Sequence, residues 1–543
     1  MNAVVFELVA AAAVVAALAG GRNEGTGERG PGPEAKPSSR PLSMRQTRMR
    51  QSPVRERGWR GPRATVGAIG ASAHPRWMGR GSGRAGETAR WARRADVAAL
   101  VVPGHRPPPP GRLVLGHPET SHRGGIGRLP FWGGGHVLAG EEASSLIVFG
   151  PTQSGKTTGL AVPAILGWEG PVLAASIKTD LLDHTIHHRS QGGLVSCFDP
   201  SGITGRGDVT WSPLPASTTW PGAKRSAATL TEVGRGSVGG MADGDFWFAT
   251  ASRLLAPLLF AAALGRRDMT DVVRWVETGE ENEVLDLLTW AGVAPAVDAA
   301  RSAFAKEERQ RSSIVTTLET LLEPFGAAAP HAVPLPVVDP AALLDGSGTL
   351  FLTAPAHDQR RLTPLFVGVL RSVLDHAYDQ VARTGRPLDP PLLVVLDEAA
   401  NIAPVPDLDA LASTAAGHGI QLVTIWHDLA QMTARFGPRA TTVVNNHRAK
   451  LFLSGISDPG TLDYASHLIG DEERHQSAVT AGGPHGSSTT RSPSVRRLAP
   501  PDALRRLPSG TGVLVYRDLA PARIRLRTWF DEPWLRSRAT SEE

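Results

Sequence analysis

The chain has 543 residues, 41 % of them apolar, enough for a substantial core and two or three domains. Its single cysteine, Cys197, excludes an internal disulfide and any cysteine-based zinc site. The net charge of +5 is uneven: residues 22–112 carry 19 basic and 6 acidic side chains, a local +13, so the remainder stands at −8 and the high pI describes one segment only.

The opening MNAVVFELVAAAAVVAALAGG is apolar from Ala3 to Ala19 apart from Glu7, near the lower limit for spanning a bilayer. Arginines begin at Arg22 and none precede the run, which predicts a single-pass anchor over residues 1–21 with the rest of the chain in the cytoplasm. A secretory signal would need a basic segment ahead of it; a peripheral Ala-rich helix is the alternative. Residues 22–95 are rich in Gly, Pro, Ser and Arg and read as a basic disordered linker, a tether that touches anionic lipid or nucleic-acid phosphates. WARRADVAALVVPG is the first expected ordered element, opening a core segment over 96–215.

The apolar run SLIV then leads into FGPTQSGKTTGL, a phosphate loop by its spacing and by its place between a strand and a helix. The residues expected to cradle ATP are Gly150, Pro151, Thr152, Gln153, Ser154, Gly155, Lys156, Thr157 and Thr158. Glycines let successive N–H groups turn toward the phosphates. Lys156 reaches the β- and γ-phosphates, and the Thr157 hydroxyl is a ligand for Mg²⁺. VLAAS and LVSCF follow as strands, with Cys197 a buried, inert thiol. Helical periodicity then runs through 216–332, in FWFATASRLLAPLLFAAAL, VLDLLTWAGVAPAVDAARSAFA and SSIVTTLETLLEPF, which predicts an all-α domain inserted in an α/β core. Phe246 and Trp247 are read as its core anchor.

Strands resume over 333–535 as TLFLTA, LLVVL, QLVTIW and KLFLSG, completing a mostly parallel sheet. LLVVL ends in Asp397 and Glu398. An acidic pair after five buried apolar residues has no packing reason, and the chemistry assigns Asp397 to the Mg²⁺ through water and Glu398 to the proton of the attacking water. Such sheets bind ligands at the carboxyl ends of their strands, where SIKTDLL also falls. Ser477–Ser494 reads as a flexible surface loop. RIRLRTWF places Arg523, Arg525 and Arg527 on one strand face, a solvated face or a phosphate-tracking pore lining.

The segments GPTQSGKTTGLAVPAIL, LDEAANIAPVPDLDALASTAAGHGIQLVTIWHDLAQM and NNHRAKLFLSG resemble the type IV coupling proteins, the TraG/TraD-like ATPases of conjugation and type IV secretion, over roughly residues 100–530. The resemblance, with an arginine-rich composition that looks like GC-rich coding, implies an actinobacterial member. It implies a membrane anchor, a RecA-like P-loop core with an all-α insertion, and a homo-hexameric ring. It also implies DNA cargo, single-stranded favoured, with relaxase proteins and secretion-channel components as partners. Relatives commonly carry Gln as a γ-phosphate sensor where His427 stands. They also carry an arginine-bearing stretch, serving a neighbouring subunit, where this chain reads TAAGHG (Thr414 to Gly419). Arg448 is the residue expected to substitute, against the alternative of an ordinary salt-bridged arginine. The competing functions are a nucleotide-gated receptor or scaffold with little turnover, and an FtsK- or HerA-like duplex translocase. No acceptor site for a metabolic phosphotransferase is visible.

Overall fold

The computed structural model describes residues 88–540 apart from 120–134, 203, 238–243, 327–334, 356, 402–404 and 483–485. The expected anchor and nearly all of the basic linker lie outside the described residues.

Short runs of branched apolar residues, buried on both faces, are the signature of a parallel sheet covered by helices. Three strands come first: β1 (Val101–Pro103), β2 (Val114–Pro118) and β3 (His136–Ala139). The seven expected strands all form: β4 (Leu146–Phe149), β5 (Val172–Ser176), β6 (Val195–Phe198), β7 (Thr349–Thr353), β8 (Leu392–Leu396), β9 (Ile420–Trp426) and β10 (Ala449–Leu453). They run parallel in the order β10-β4-β9-β8-β5-β7-β6. The chain is thus an α/β protein with the sheet of a RecA-like core. β13 (Thr511–Tyr516) and β14 (Ala522–Arg525) extend the sheet antiparallel beyond β10 and carry it on to β2, β3 and β1.

Strand alternation sorts β4 onto two cores. Ile147 and Phe149 face the cluster that contains the inserted helices, while Leu146 and Val148 face the cluster around helix Val162–Leu166. The chain leaves the sheet after β6 and returns to it at β7. Between them, hydrogen bonds from Thr210 N to Pro336 O (2.9 Å) and from Val338 N to Thr210 O (2.8 Å) tie the two crossings together. The described segments between these crossings contain no strand. Their helices are Trp220–Ser237, Gly244–Leu264, Met269–Thr278, Asn282–Ala291, Ala294–Phe304 and Glu308–Gly326. Helix Gly244–Leu264 is long and apolar enough to cross a membrane, yet most of its apolar stretch is buried within the insert, as its core helix.

Three expectations are corrected. Of the expected anchor pair, Trp247 is half-buried and packs against the core, whereas Phe246 is 55 % exposed and meets Trp247 edge to face; Phe248 enters the core in its place. The described part of Ser477–Ser494 is not a loop: it belongs to β11 (Asp471–Gly482) and β12 (Gly486–Arg497), paired antiparallel along twelve positions. Two arginines of RIRLRTWF, Arg523 and Arg527, are engaged within the chain and do not form a solvated row on one strand face. Arg523 lies on β14, an interior strand between β13 and β2, and stacks 4.4 Å from the Trp91 ring; Arg527 lies past the end of that strand, buried and forked on Glu532.

Candidate nucleotide site

The loop lies between β4 and a helix whose first turn, Thr157–Ala161, is of the wide π type. Gly155 has φ +84°, a value that glycine reaches without strain. A Cβ on Gly150 would stand 2.8 Å from Ser154 Oγ, so a side chain there would close the curl. Thr152 and Gln153 form the exposed tip, Gln153 with φ +62°; Pro151, Thr157 and Thr158 are half-buried. Gly150 N donates to Trp426 O (3.1 Å), stitching the loop to β9.

β9 separates the loop strand β4 from the acid strand β8. Two strand spacings, roughly 9.5 Å, therefore lie between the backbones. Side chains close the gap: Thr157 Oγ1 donates to Asp397 Oδ2 at 2.8 Å across 240 residues of sequence. Asp397 is buried, and that burial holds its carboxyl above the usual range against the Thr157 hydroxyl; the Glu398 charge pushes it the same way, and Lys156 and Lys178 oppose it. Lys156 is also buried. Burial lowers its ammonium, opposed by Asp397 and Glu398, and Nζ donates to the loop's own carbonyls at Gly150 (2.6 Å) and Pro151 (2.5 Å).

These groups fit a Mg²⁺–nucleoside triphosphate. Ser154 Oγ is buried with no hydrogen-bond partner among the described residues, Lys156 is satisfied only by loop carbonyls, and the Thr157–Asp397 oxygens form a hard-ligand pair of the kind Mg²⁺ takes.

Glu398 stands half-buried at φ +60°, strained for a residue with a Cβ, and such strain clusters at functional sites. Its Oε2 accepts from Asn401 Nδ2 at 3.4 Å, an orienting contact that the sequence reading missed although LDEAAN contains it. His427 follows β9 at the same carboxyl edge, and its backbone N donates to Gln431 Oε1 at 3.1 Å. Arg448 is elsewhere. It precedes β10 at the amino edge and pairs with Glu141 (2.9 Å), which also takes Arg517 (3.0 Å). It does not approach the loop of its own chain.

The sequence reading also missed the segment after β14. Arg527 N donates to Gly159 O (3.2 Å) and Trp529 N to Thr158 O (3.1 Å), taking carbonyls that the π turn leaves free. Leu526 lies where a Cβ on Gly159 would be, 2.8 Å away. Arg527 is held in turn by Glu532, whose other contact is His117 Nε2 at 2.6 Å. Burial pushes Glu532 up, but the hydrogen bonds from His117 and Arg527 outweigh it and hold the carboxyl down at about 2. Cys197 is buried as expected, its thiol pushed up to about 12 by burial.

A family model described as type IV secretory system conjugative DNA transfer matches residues 109–543. The conjugal transfer protein TraG of Escherichia coli is 25 % identical over 488 residues, covering 82 % of this chain and 75 % of that protein. Protein VirD4 of Agrobacterium fabrum is 23 % identical over 363 residues, 63 % of this chain and 52 % of its own length. Among solved structures, the conjugative coupling protein TrwBdeltaN70 superposes with a TM-score of 0.57 at 18 % identity, over 78 % of this chain and 95 % of that one. A structure of TrwB in complex with ADP and Mg²⁺ gives a TM-score of 0.55 at 18 % identity, over 78 % of this chain and 96 % of that one.

Proposed function

The chain belongs to the type IV secretory system conjugative DNA transfer family, and from that premise we propose that it is a membrane-anchored ATPase that couples Mg²⁺-dependent ATP hydrolysis to movement of DNA, or of a relaxase–DNA complex, into a secretion channel. The observation that carries this reading is the 2.8 Å contact between Thr157 and Asp397, made beside a buried Lys156 in a loop of phosphate-binding shape.

In this reading the N–H groups of Gly150–Thr158 and the Lys156 ammonium hold the phosphates, and Thr157 with Asp397 holds the metal. Mg²⁺, when bound, would neutralise charge on the phosphates of the nucleotide. Glu398, oriented by Asn401, accepts a proton from the attacking water at its carboxylate. His427, at the end of β9 between loop and acids, donates to the γ-phosphate in the tautomer that presents an N–H there. Arg448, at the opposite edge from its own loop, serves only a neighbouring subunit of a homo-hexamer. The DNA is single-stranded, and the anchor expected over residues 1–21 holds the ATPase at the cytoplasmic face of the membrane.

A receptor with little turnover is favoured by two departures, His427 where relatives commonly carry Gln and the absence of arginine from Thr414–Gly419. Steady-state ATP hydrolysis by the full chain, alone, with single-stranded DNA and with duplex, decides between them. Turnover stimulated by single strands, lost in Lys156→Ala and Glu398→Gln and at least tenfold lower in Arg448→Ala, is the expected result. Nucleotide binding without turnover under conditions that assemble rings contradicts the motor.

A further inference from the structure

A cleft of about 330 Å³ opens on the helical insert where Trp220–Ser237, Gly244–Leu264 and the end of Ala294–Phe304 meet. Three cations line it: Lys224, Arg253 and Lys306. No carboxylate lines it, and none of the three has an ion-pair partner among the described residues. The chain carries only six lysines, and two of them are here. Three alanines, Ala256, Ala299 and Ala303, and two serines, Ser252 and Ser302, complete its lining. Trp220 forms one side. One helical turn separates it from Lys224, whose Nζ lies 5.7 Å from the ring centroid, and Phe260 backs it at 5.8 Å.

Like charges without carboxylates repel one another, so folding alone gives no reason to gather them. An anionic ligand does. Ammonium, guanidinium and hydroxyl donors are the groups that take phosphate oxygens, and a half-buried indole offers a face for a base. The volume suits about one nucleotide. We propose that this cleft binds one nucleotide of a single DNA strand, its phosphate on Lys224, Arg253 and Lys306 and its base against Trp220. A single strand is required because a base must leave the duplex stack to reach an aromatic face. An acidic peptide would use the cations alone and leave the indole only its contacts with Lys224 and Phe260. The proposal rests on the reading that DNA is the cargo, and it adds a cargo contact on the insert, apart from the nucleotide loop.

Fluorescence anisotropy of a labelled oligo-dT with the full chain, without nucleotide, across a salt series tests it. Each phosphate contact to a single strand contributes about 0.7 to the slope of log affinity against log salt. The combined Lys224→Glu, Arg253→Glu, Lys306→Glu variant should therefore bind at least tenfold more weakly and lose about 2 from that slope. Trp220→Leu should lower affinity roughly tenfold at unchanged slope. Binding of Mg²⁺–ATP to the same variants, unchanged within twofold, shows that they are folded. Affinity and slope both unchanged in the charge variant would overturn the proposal, as would displacement of the DNA by an oligo-aspartate of equal charge at the same concentration as by oligo-dT. Because the assay contains no nucleotide, DNA binding here in a protein that hydrolyses nothing retires the motor reading and leaves the cleft standing.

Discussion

The α/β core and the helical insert bury polar groups in different ways. In the insert, Thr231 and Thr250 donate to carbonyls four residues back, Ala227 (2.8 Å) and Phe246 (2.7 Å). In the core, partners come from far along the chain. Arg189 reaches Thr349 (2.7 Å), Trp168 O (2.6 Å) and Gly170 O (2.8 Å), Thr424 meets His447 (3.1 Å), and Thr157 meets Asp397. Unpaired buried polar groups are costly, so each region must satisfy its own. The insert does so largely within single helices, with Trp275 reaching Glu283 on the next helix, and its apolar residues share one continuous core with the sheet face that carries Ile147 and Phe149. The core does so across the sheet, and its chemistry depends on every strand being in place. Burial lowers Arg189 to about 10 and His447 to about 4, marking how dry that interior is.

The sharpest way to break this contrast is at the loop. Lys156→Ala should weaken Mg²⁺–ATP binding at least a hundredfold by calorimetry while leaving the melting temperature unchanged or higher, since it removes an ammonium that burial disfavours. Glu398→Gln should cut turnover by roughly 10²–10⁴ and leave binding within twofold, because the carboxylate acts only on the attacking water. Trp275, buried in the insert with Nε1 on Glu283 (2.9 Å), tests the other side. Trp275→Ala should cost about 3–5 kcal/mol, seen as a single lowered calorimetric transition, with nucleotide affinity within twofold; an early transition of the insert alone would show that the two regions unfold separately.

Glu532→Gln probes the segment that braces the loop helix. A carboxyl whose folded value is depressed stabilises above its unfolded value, and that contribution is lost as pH falls through the folded one. The variant should be destabilised by roughly 2–3 kcal/mol at pH 7, and the gap to the parent should shrink as pH falls from 4.5 toward 2. The smallest effect on stability belongs to Arg448→Ala. Its ion pair with Glu141 is exposed, and its loss should change stability by no more than about 0.5 kcal/mol in urea denaturation.

Much of the core was legible in the sequence because its signals are local. SLIVF, LLVVL and QLVTIW are apolar runs that only a sheet covered on both faces can bury, and the loop spacing from Gly150 to Thr157 is written in eight residues. The acids were legible for the same reason, as charges with no packing role after LLVVL. What escaped were contacts between distant segments. Nothing near Arg527 announces that its backbone will cap Gly159, or that Glu532 will hold its side chain. The opposite error came from composition: Ser477–Ser494 reads as loop by its Gly and Ser content, yet a partner strand turns it into a ribbon. Phe246 failed on phase, since a helix rotates 100° per residue and the buried ring is two residues further on.

The central claim is that distant strands assemble a Mg²⁺–nucleotide site from Lys156, Thr157 and Asp397. Calorimetric titration of the full chain with a non-hydrolysable ATP analogue, with and without Mg²⁺, tests it most directly when repeated on Asp397→Asn. The account predicts micromolar binding that Mg²⁺ strengthens in the parent and no longer strengthens in the variant. Binding of equal affinity with and without Mg²⁺ in both proteins would contradict it.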